Sequence, residues 1–279
     1  MHKLLTALVA IALLASCANT QTTHSGTVGV QRKQFMMLSS KQVEGMAAQS
    51  YVQTLKTADS KKTLNANPLQ TERVRAIAHR LINQTSVFRP DAVNWKWEVN
   101  VEDSQELNAY CMPGGKIMVY TGLIDQLNAS DDELAAVMGH EISHALREHG
   151  RERMSEAYVQ KIGLIGLAAI VGVSSDSKSN AANTLKIGTM VTAVALTLPH
   201  SREQEREADR MGLELAARAG FDPNAAVSLW RKMGAHAGKK PPEYLSTHPS
   251  DESRINDLER LIPSVMPLYQ AAKAAPNQH

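Results

Sequence analysis

Cysteine, charge of one sign and long apolar runs are all scarce in this chain of 279 residues. There are two cysteines, and 30 Lys and Arg residues against 28 Asp and Glu residues leave a formal net charge of +2. So small an excess, with no basic stripe, gives no reason to expect nucleic-acid binding. No internal repeat is present, and no apolar run reaches the roughly 20 residues that a membrane-spanning helix needs. With 43% hydrophobic and 21% charged residues, the composition indicates one sizeable globular domain.

The first residues are typical of a targeting segment. His2 and Lys3 form a short basic start, residues 4–14 form an apolar run of signal-peptide length, and small residues precede Cys17. This pattern resembles a bacterial lipoprotein signal, which implies that residues 1–16 are removed and that Cys17 becomes a lipidated N-terminus. An ordinary secretory signal with an incidental cysteine is the alternative.

A lipidated Cys17 has consequences for the compartment and for the other cysteine. Because Ala18 and not an aspartate follows it, resemblance to the sorting pattern of enteric bacteria implies an anchor in the outer membrane, facing the periplasm. Cys111 would have no intramolecular partner, so we expect no disulfide. Residues 17–38 begin with a stretch rich in Thr, Ser, Gly, Gln and Asn, and they predict a flexible tether between the lipid and the domain.

Hydrophobic periodicity predicts an α+β domain, predominantly helical, over residues 39–265, followed by a frayed tail over residues 266–279. The longer helices are expected over residues 39–57, 67–84, 131–149, 199–220, 224–235 and 250–261. Short strands are expected at residues 95–101, 107–112 and 116–120, after a loop at residues 89–91. Two apolar segments, residues 162–173 and 185–198, predict a helical hairpin that covers the core, with membrane contact as the alternative.

The stretch of residues 140–144 contains side chains that are typical of a metal site. His140 and His144 lie four residues apart, and on a helix this spacing places both imidazoles on one face, within reach of one zinc ion. Glu141 lies beside them and can take a proton from a zinc-bound water. The flanks agree with a helix, since a capping box begins at Ser130 and Gly150 is a plausible C-terminal stop. A helical histidine pair without a metal is the alternative.

A third ligand is expected on a later helix, because a catalytic zinc takes three protein ligands and keeps one position open. The candidates are the acidic residues of one charged run, Glu203, Glu205, Glu207 and Asp209. Glu205 and Asp209 share a helix face, which suits one carboxylate on the zinc and another that orients a ligand imidazole. Glu203 and Glu207 are spaced in the same way, so periodicity does not choose between the pairs. A solvated charged face is the other interpretation.

Further motifs accompany these residues between about positions 69 and 261. They comprise residues 108–110 with 113–115, 119–123, 133–144, 201–212, and 246–249 with Arg254. Together they resemble the HtpX-like and CAAX-prenyl-protease-like gluzincin metallopeptidases, especially soluble periplasmic lipoproteins of the BepA/LoiP type. The resemblance implies a zincin (minigluzincin) domain in which a small three-stranded sheet packs on the zinc-binding helix. It also implies one zinc ion, with residues in the following roles: ligands His140, His144 and Glu205, Asp209 behind them, and Glu141 as general base.

The resemblance extends to residues around the zinc. It places His248 at the metal, either stabilising the oxyanion or acting as an inhibitory fourth ligand, and it gives Arg254 a catalytic role at the site. An extended peptide would pair with the edge strand, and the residues expected to bind it are Asn108, Ala109, Tyr110 and Cys111. The histidines expected to be structural only are His79, His149, His200 and His236.

The function expected from these residues is zinc-dependent hydrolysis of peptide bonds in the bacterial cell envelope, with misfolded or unassembled proteins as substrates. A chaperone or assembly factor for outer-membrane proteins, which binds clients with little proteolysis, is the alternative from another class. A structural lipoprotein without a metal is the third interpretation. In each case the partners are envelope proteins and the membrane, and not nucleic acid.

Overall fold

The computed structural model describes residues 19–170, 199–236, 243–248 and 252–274. The predicted signal peptide, its lipidation site Cys17 and the apolar segment 185–198 lie outside the described residues, as do the side chains of the segment 162–173. Within the described ranges, no helix is long and apolar enough to cross a membrane.

Helices form most of the described chain. The strands are β1 (Asn19–Thr20), β2 (Gln34–Phe35), β3 (Glu98–Glu102), β4 (Ala109–Met112) and β5 (Lys116–Tyr120). The first five helices are α1 (Ser40–Ser60), α2 (Pro68–Ile82), α3 (Thr121–Gln126), α4 (Asp131–Leu146) and α5 (His149–Ile170). The remaining helices are α6 (Arg202–Arg218), α7 (Asn224–His236), α8 (Glu243–Thr247) and α9 (Glu252–Ala274).

The three-stranded sheet has the order β3-β5-β4, with β3 parallel and β4 antiparallel to β5. Gly114 and Gly115 form the tight β4–β5 turn with φ angles of 81° and 82°, which a residue with a side chain rarely adopts. The strand predicted at residues 95–101 begins later, at Glu98. A 3₁₀ helix at Pro90–Asn94 precedes the strand, where a loop was expected. The Trp97 indole N–H donates to the carbonyl of Ala92 in this helix, and the strand begins only after that contact.

Helix α4 lies at the centre of the core, between the sheet and α6. The predicted capping box is present, since the Ser130 hydroxyl accepts from the N–H of Glu133 and the Glu133 carboxylate accepts from the N–H of Ser130. β4 packs on one side of α4 and α6 crosses the other side. Gly139 and Gly212 meet at that crossing, where a Cβ on Gly212 would lie 2.7 Å from the backbone nitrogen of His140. The absence of both side chains lets the two helices approach this closely.

The predicted end of the motif helix is wrong. Helix α4 stops at Leu146, and α5 starts at His149, so that Gly150 lies inside the second helix. Glu148 takes the left-handed conformation expected of a glycine, with φ of 54°. Its carboxylate accepts hydrogen bonds from Ser40 and Arg151, at 2.6 and 2.7 Å, and these contacts hold a conformation that the sequence alone does not favour.

Residues 19–38, for which the sequence predicts a flexible tether, pack against the domain instead. We call them the N-terminal strap. Strands β1 and β2 pair with each other, and Val28 and Val30 are buried in the main core. The backbone N–H groups of Thr27 and Val28 donate to the Glu214 carboxylate at 2.8 and 3.0 Å. Buried apolar side chains and satisfied backbone donors make this segment part of the folded unit.

The C-terminal helix continues beyond the predicted end of the domain. Helix α9 runs to Ala274 through two prolines, so residues 266–274 are helical and not a frayed tail. Val265 is fully buried, and Leu268 and Tyr269 pack against the core. These residues lie at helical spacing, and the free energy gained by burying them offsets the loss of the backbone hydrogen bonds that the prolines remove.

Candidate metal centre

Helices α4 and α6 bring three candidate ligands together. The Nε2 atoms of His140 and His144 are 3.0 Å apart. The Glu205 carboxylate lies 3.5 Å from Nε2 of His140 and 3.3 Å from Nε2 of His144. Zinc bonds of about 2.0–2.1 Å place the corners of a tetrahedron roughly 3.3 Å apart, so three of its corners fit these atoms. All three side chains are buried, and the residues present therefore fit a zinc ion.

His248 lies beside the same three side chains. Its Nδ1 atom is 3.0 Å from the Glu205 carboxylate and 3.3 Å from Nε2 of His140. The four residues form a buried group whose candidate ligand atoms all lie within 4.8 Å of one another. This is the position that the interpretation of His248 as a fourth ligand requires.

Asp209 and Arg254 lie behind the ligands. Asp209 Oδ1 is 2.9 Å from Nδ1 of His140, and Arg254 donates to both Asp209 oxygens at 2.6 Å. Another Arg254 nitrogen lies 2.7 Å from Glu205, and its guanidinium stacks on Trp230. Burial by itself lowers the pKa of His140, but hydrogen bonds to Asp209 and Glu205 outweigh this and raise it to about 9. Arg254 is thus placed to position two carboxylates, away from the cavity where a catalytic residue would act.

His149, which was expected to be structural only, contacts a candidate ligand from behind. Its Nδ1 is 2.8 Å from Nδ1 of His144, and its Nε2 is 2.9 Å from the Glu207 carboxylate. Because the carboxylate accepts, Nε2 of His149 carries the proton, and its Nδ1 accepts from the N–H of His144. This bond directs Nε2 of His144 towards the other ligands. The sequence signal for this contact was a third histidine, five residues after His144. It was missed because the predicted end of the helix was wrong.

Glu207 belongs to this chain of contacts and is not a ligand. Burial raises its pKa, but hydrogen bonds from His149 and Arg32 outweigh that effect and lower it to about 2. Glu203, the other member of that pair, is exposed. The tertiary structure thus places in different surroundings four carboxylates that helical periodicity does not distinguish.

His200, also expected to be structural, lies at the site. Its ring centroid is 3.9 Å from that of His144, and it stacks on His248 at 4.9 Å. Its backbone N–H donates to the carbonyl of Thr247 at 3.0 Å, which joins the start of α6 to α8. His79 and His236 are exposed and lie elsewhere.

Glu141 faces the cavity beside the ligands, and Tyr244 contacts it. The Tyr244 hydroxyl donates to Glu141 Oε1 at 2.7 Å, and its ring stacks on His248 at 4.5 Å. Burial and the Glu141 charge raise the pKa of Tyr244 well above its usual value, so the hydroxyl stays a donor. Sequence reasoning missed Tyr244, although it precedes His248 by one helical turn.

A cavity of about 370 Å³ opens beside Glu141 and His144. The residues predicted to bind substrate all line it, namely Asn108, Ala109, Tyr110 and Cys111. β4 pairs with β5 along one edge, and among the described residues no strand pairs with its other edge. The apolar part of the wall includes Met46, Met112 and Met154. Burial raises the pKa of the Cys111 thiol well above its usual value, which favours a wall residue over a nucleophile.

Two histidines one turn apart, an adjacent glutamate and a carboxylate from a second helix, beside a cavity bordered by a strand edge, define a site of the metallopeptidase class. A family model described as peptidase family M48 matches residues 68–262, and the chain belongs to this family.

Several relatives carry metallopeptidase names. The chain is 35% identical over 208 residues to bovine "Metalloendopeptidase OMA1, mitochondrial", a match that covers 73% of this chain and 39% of the relative. It is 39% identical over 180 residues to "Mitochondrial metalloendopeptidase OMA1" of Arabidopsis thaliana, with 64% and 34% covered. It is 28% identical over 208 residues to the "Beta-barrel assembly-enhancing protease" of Escherichia coli, with 72% and 41% covered. The chain thus spans less than half the length of each.

Proposed function

We propose that this protein is a zinc-dependent endopeptidase. The observation that carries the proposal is the 3.0–3.5 Å spacing of the candidate ligand atoms on His140, His144 and Glu205, with Glu141 facing the same cavity. A zinc ion bound there supplies Lewis-acid polarisation of a carbonyl oxygen and lowers the pKa of a water molecule.

The residues of the chain supply the remaining steps. An extended substrate pairs by its main chain with the open edge of β4, which brings one of its carbonyl groups to the ligands. Glu141 accepts a proton from the attacking water and returns it to the leaving amine. Tyr244 holds Oε1 of Glu141, which leaves Oε2 for this transfer. Since a catalytic zinc site would keep one position open, His248 would have to move away from Glu205 and His140 before substrate binds.

Glu141→Gln tests this function, because it keeps the size of the side chain and removes the proton acceptor. Hydrolysis of an unfolded model protein should fall by at least about 100-fold, the lower end of what acid–base catalysis contributes. Stoichiometric zinc should remain. The matched control is Glu203→Gln, which changes an exposed carboxylate of α6 and should leave hydrolysis intact. Equal cleavage by wild type and Glu141→Gln would refute the role of Glu141, and a wild-type protein without zinc would favour a structural lipoprotein.

We further propose that the enzyme is lipid-anchored at the bacterial outer membrane, faces the periplasm and cleaves misfolded or unassembled envelope proteins. The lipoprotein-like sequence before Cys17 supports the location, and the name of the Escherichia coli relative supports the substrate class. Other relatives have mitochondrial names, so the relatives alone do not choose the compartment. Cys17→Ser should abolish labelling by a radioactive fatty acid and release the protein from the membrane fraction. Mature wild-type protein in the cytosol would contradict the proposal.

One observation favours the chaperone as a second candidate. Nδ1 of His248 lies 3.0 Å from Glu205, where it would act as a fourth ligand of a bound zinc, and in this state the protein would be suited to bind a client without cutting it. Client rescue by Glu141→Gln at the level of wild type would support this function over proteolysis.

A further inference from the structure

One side chain of the N-terminal strap reaches the network behind the candidate metal centre. Arg32 donates to Glu207 through Nε and a terminal nitrogen, at 3.2 and 3.0 Å. Its two terminal nitrogens also donate to the two oxygens of Glu152, one of them at 2.9 Å. The carboxylates of Glu207 and Glu152 are almost fully buried, and Arg32 is one-quarter exposed. The strap therefore brings a cation between two buried carboxylates that lie on α6 and α5.

Glu207 is two contacts away from a candidate ligand. It accepts the proton of His149 Nε2 at 2.9 Å, and His149 in turn accepts the N–H of His144 at 2.8 Å. The position of Glu207 thus decides the orientation of His149, and His149 decides which nitrogen His144 turns towards the other ligands. A carboxylate free to rotate would fix neither ring.

The second cation on Glu207 also depends on the strap. Arg147 donates to Glu207 at 2.9 Å, and Arg147 is fully buried. Its terminal nitrogens donate to the Arg32 carbonyl at 2.9 Å and to the Thr23 hydroxyl at 3.2 Å. Of the two arginines that hold Glu207, Arg32 therefore belongs to the strap and Arg147 is held by it.

We propose that Arg32 is a positioning residue of the metal centre, through which the docked N-terminal strap holds the imidazole of His144 in its ligating orientation. The strap lies outside residues 68–262, so membership of the family does not assign this role. The inference rests on the zinc centre of the proposed function. Arg32 suits the task because its planar guanidinium binds two carboxylates at once, which the single charge of a lysine does not.

The strap has other attachments that hold it without Arg32. The N–H groups of Thr27 and Val28 donate to Glu214, and those of Met37 and Leu38 donate to the hydroxyl of Ser155 at 3.0 and 3.1 Å. Removal of the Arg32 guanidinium therefore leaves the strap docked and takes from Glu207 one of the two arginines that hold it, while Arg147 and His149 remain in contact with it. This separates an effect on the metal centre from a general loss of folding.

The test is the zinc affinity of the full chain, measured by competition with a chelator for Arg32→Met and for Lys33→Met. Lys33 is the adjacent exposed cation of the strap and makes a matched control for charge and position. Arg32→Met should weaken zinc binding roughly 5- to 10-fold, somewhat less than loss of a direct partner of a ligand, because two side chains intervene. Lys33→Met should leave the affinity unchanged, and Arg32→Lys should lie between the two.

A double substitution tests the route of the effect. In Glu207→Gln, which already lacks the carboxylate, a further Arg32→Met should change zinc affinity much less than it does in wild type. Additive effects would overturn the inference, as would equal affinities for Arg32→Met and Lys33→Met. Glu214→Gln loosens the strap elsewhere, and an equal loss of affinity in that variant would assign the effect to the strap as a whole and not to Arg32. A wild-type protein that binds no zinc would instead overturn the proposed function, so the two failures are distinguishable.

Discussion

Gly212→Ala is expected to disturb the metal centre through the backbone alone. A methyl group on Gly212 would lie 2.7 Å from the nitrogen of His140, 2.8 Å from the carbonyl carbon of Gly139 and 2.9 Å from the α-carbon of His140. These are main-chain atoms of α4, so no rotation of a side chain relieves the contact. Helix α6 has to move away from the helix that carries two of the candidate ligands.

The size of the movement follows from these distances. Ordinary contact begins at 3.4 Å against the 2.7 Å found here, so the helices must separate by about 0.7 Å at this point. Metal–ligand distances tolerate deviations of only about 0.2 Å. Glu205 lies two turns, roughly 10 Å, along α6 and takes part of the displacement, whereas His140 is at the contact itself. Overpacking of this kind costs about 1–3 kcal/mol of stability, and we expect zinc affinity to fall by at least about 10-fold.

Two measurements check this prediction, chelator competition for zinc affinity and urea unfolding in excess chelator for stability. The matched control is Gly45→Ala, since Gly45 is an exposed helical glycine with no atom within 4 Å of the added Cβ. This control should raise stability by about 0.5–1 kcal/mol and leave zinc affinity unchanged. If Gly212→Ala keeps both the stability and the zinc affinity of wild type, the close helix crossing does not determine the ligand geometry.

Two further predictions concern buried carboxylates. Asp209→Asn should lower zinc affinity by at least about 10-fold, because it weakens the bonds to His140 and Arg254. An unchanged affinity in chelator competition would contradict that role. Burial raises the pKa of Glu152, but bonds from Arg32 and two glutamines outweigh it and lower the pKa below its usual 4.5. The ionised group therefore stabilises the fold above about pH 4.5, and this contribution is lost as the pH falls through the folded-state pKa. Glu152→Gln should have a lower free energy of unfolding than wild type, and this difference should shrink below pH 4.5. A difference that stays constant at every pH would exclude this linkage.

The helix that carries His140, Glu141 and His144 could be predicted from the sequence because all its signals are local. The capping box at Ser130 spans four residues, and the two histidines are one turn apart. Strand β5, at residues 116–120, followed in the same way from alternation and from the two glycines before it. Interactions within four residues along the chain need no knowledge of the rest of the fold.

The end of that helix already required more than local information. Gly150 is the better helix terminator by propensity, yet the chain turns at Glu148 because Ser40, more than a hundred residues earlier, bonds its carboxylate. The same turn brings His149 back onto His144. A local preference of about 1 kcal/mol is readily overridden by such contacts.

Composition was least informative for the strap and for the charged run of α6. Thr, Ser and Gly predict a flexible tether, and alternate carboxylates predict a solvated face, when each segment is considered alone. The tertiary structure places Arg32 between Glu152 and Glu207, and it places Glu205 and not Glu203 opposite the two histidines. Buried charges require partners, and those partners come from segments that are distant along the chain. Helical spacing in the sequence therefore determined which residues share a helix face. Only the packing of the helices and the strap decided which face meets the candidate metal centre and which charged side chain holds the surrounding residues in place.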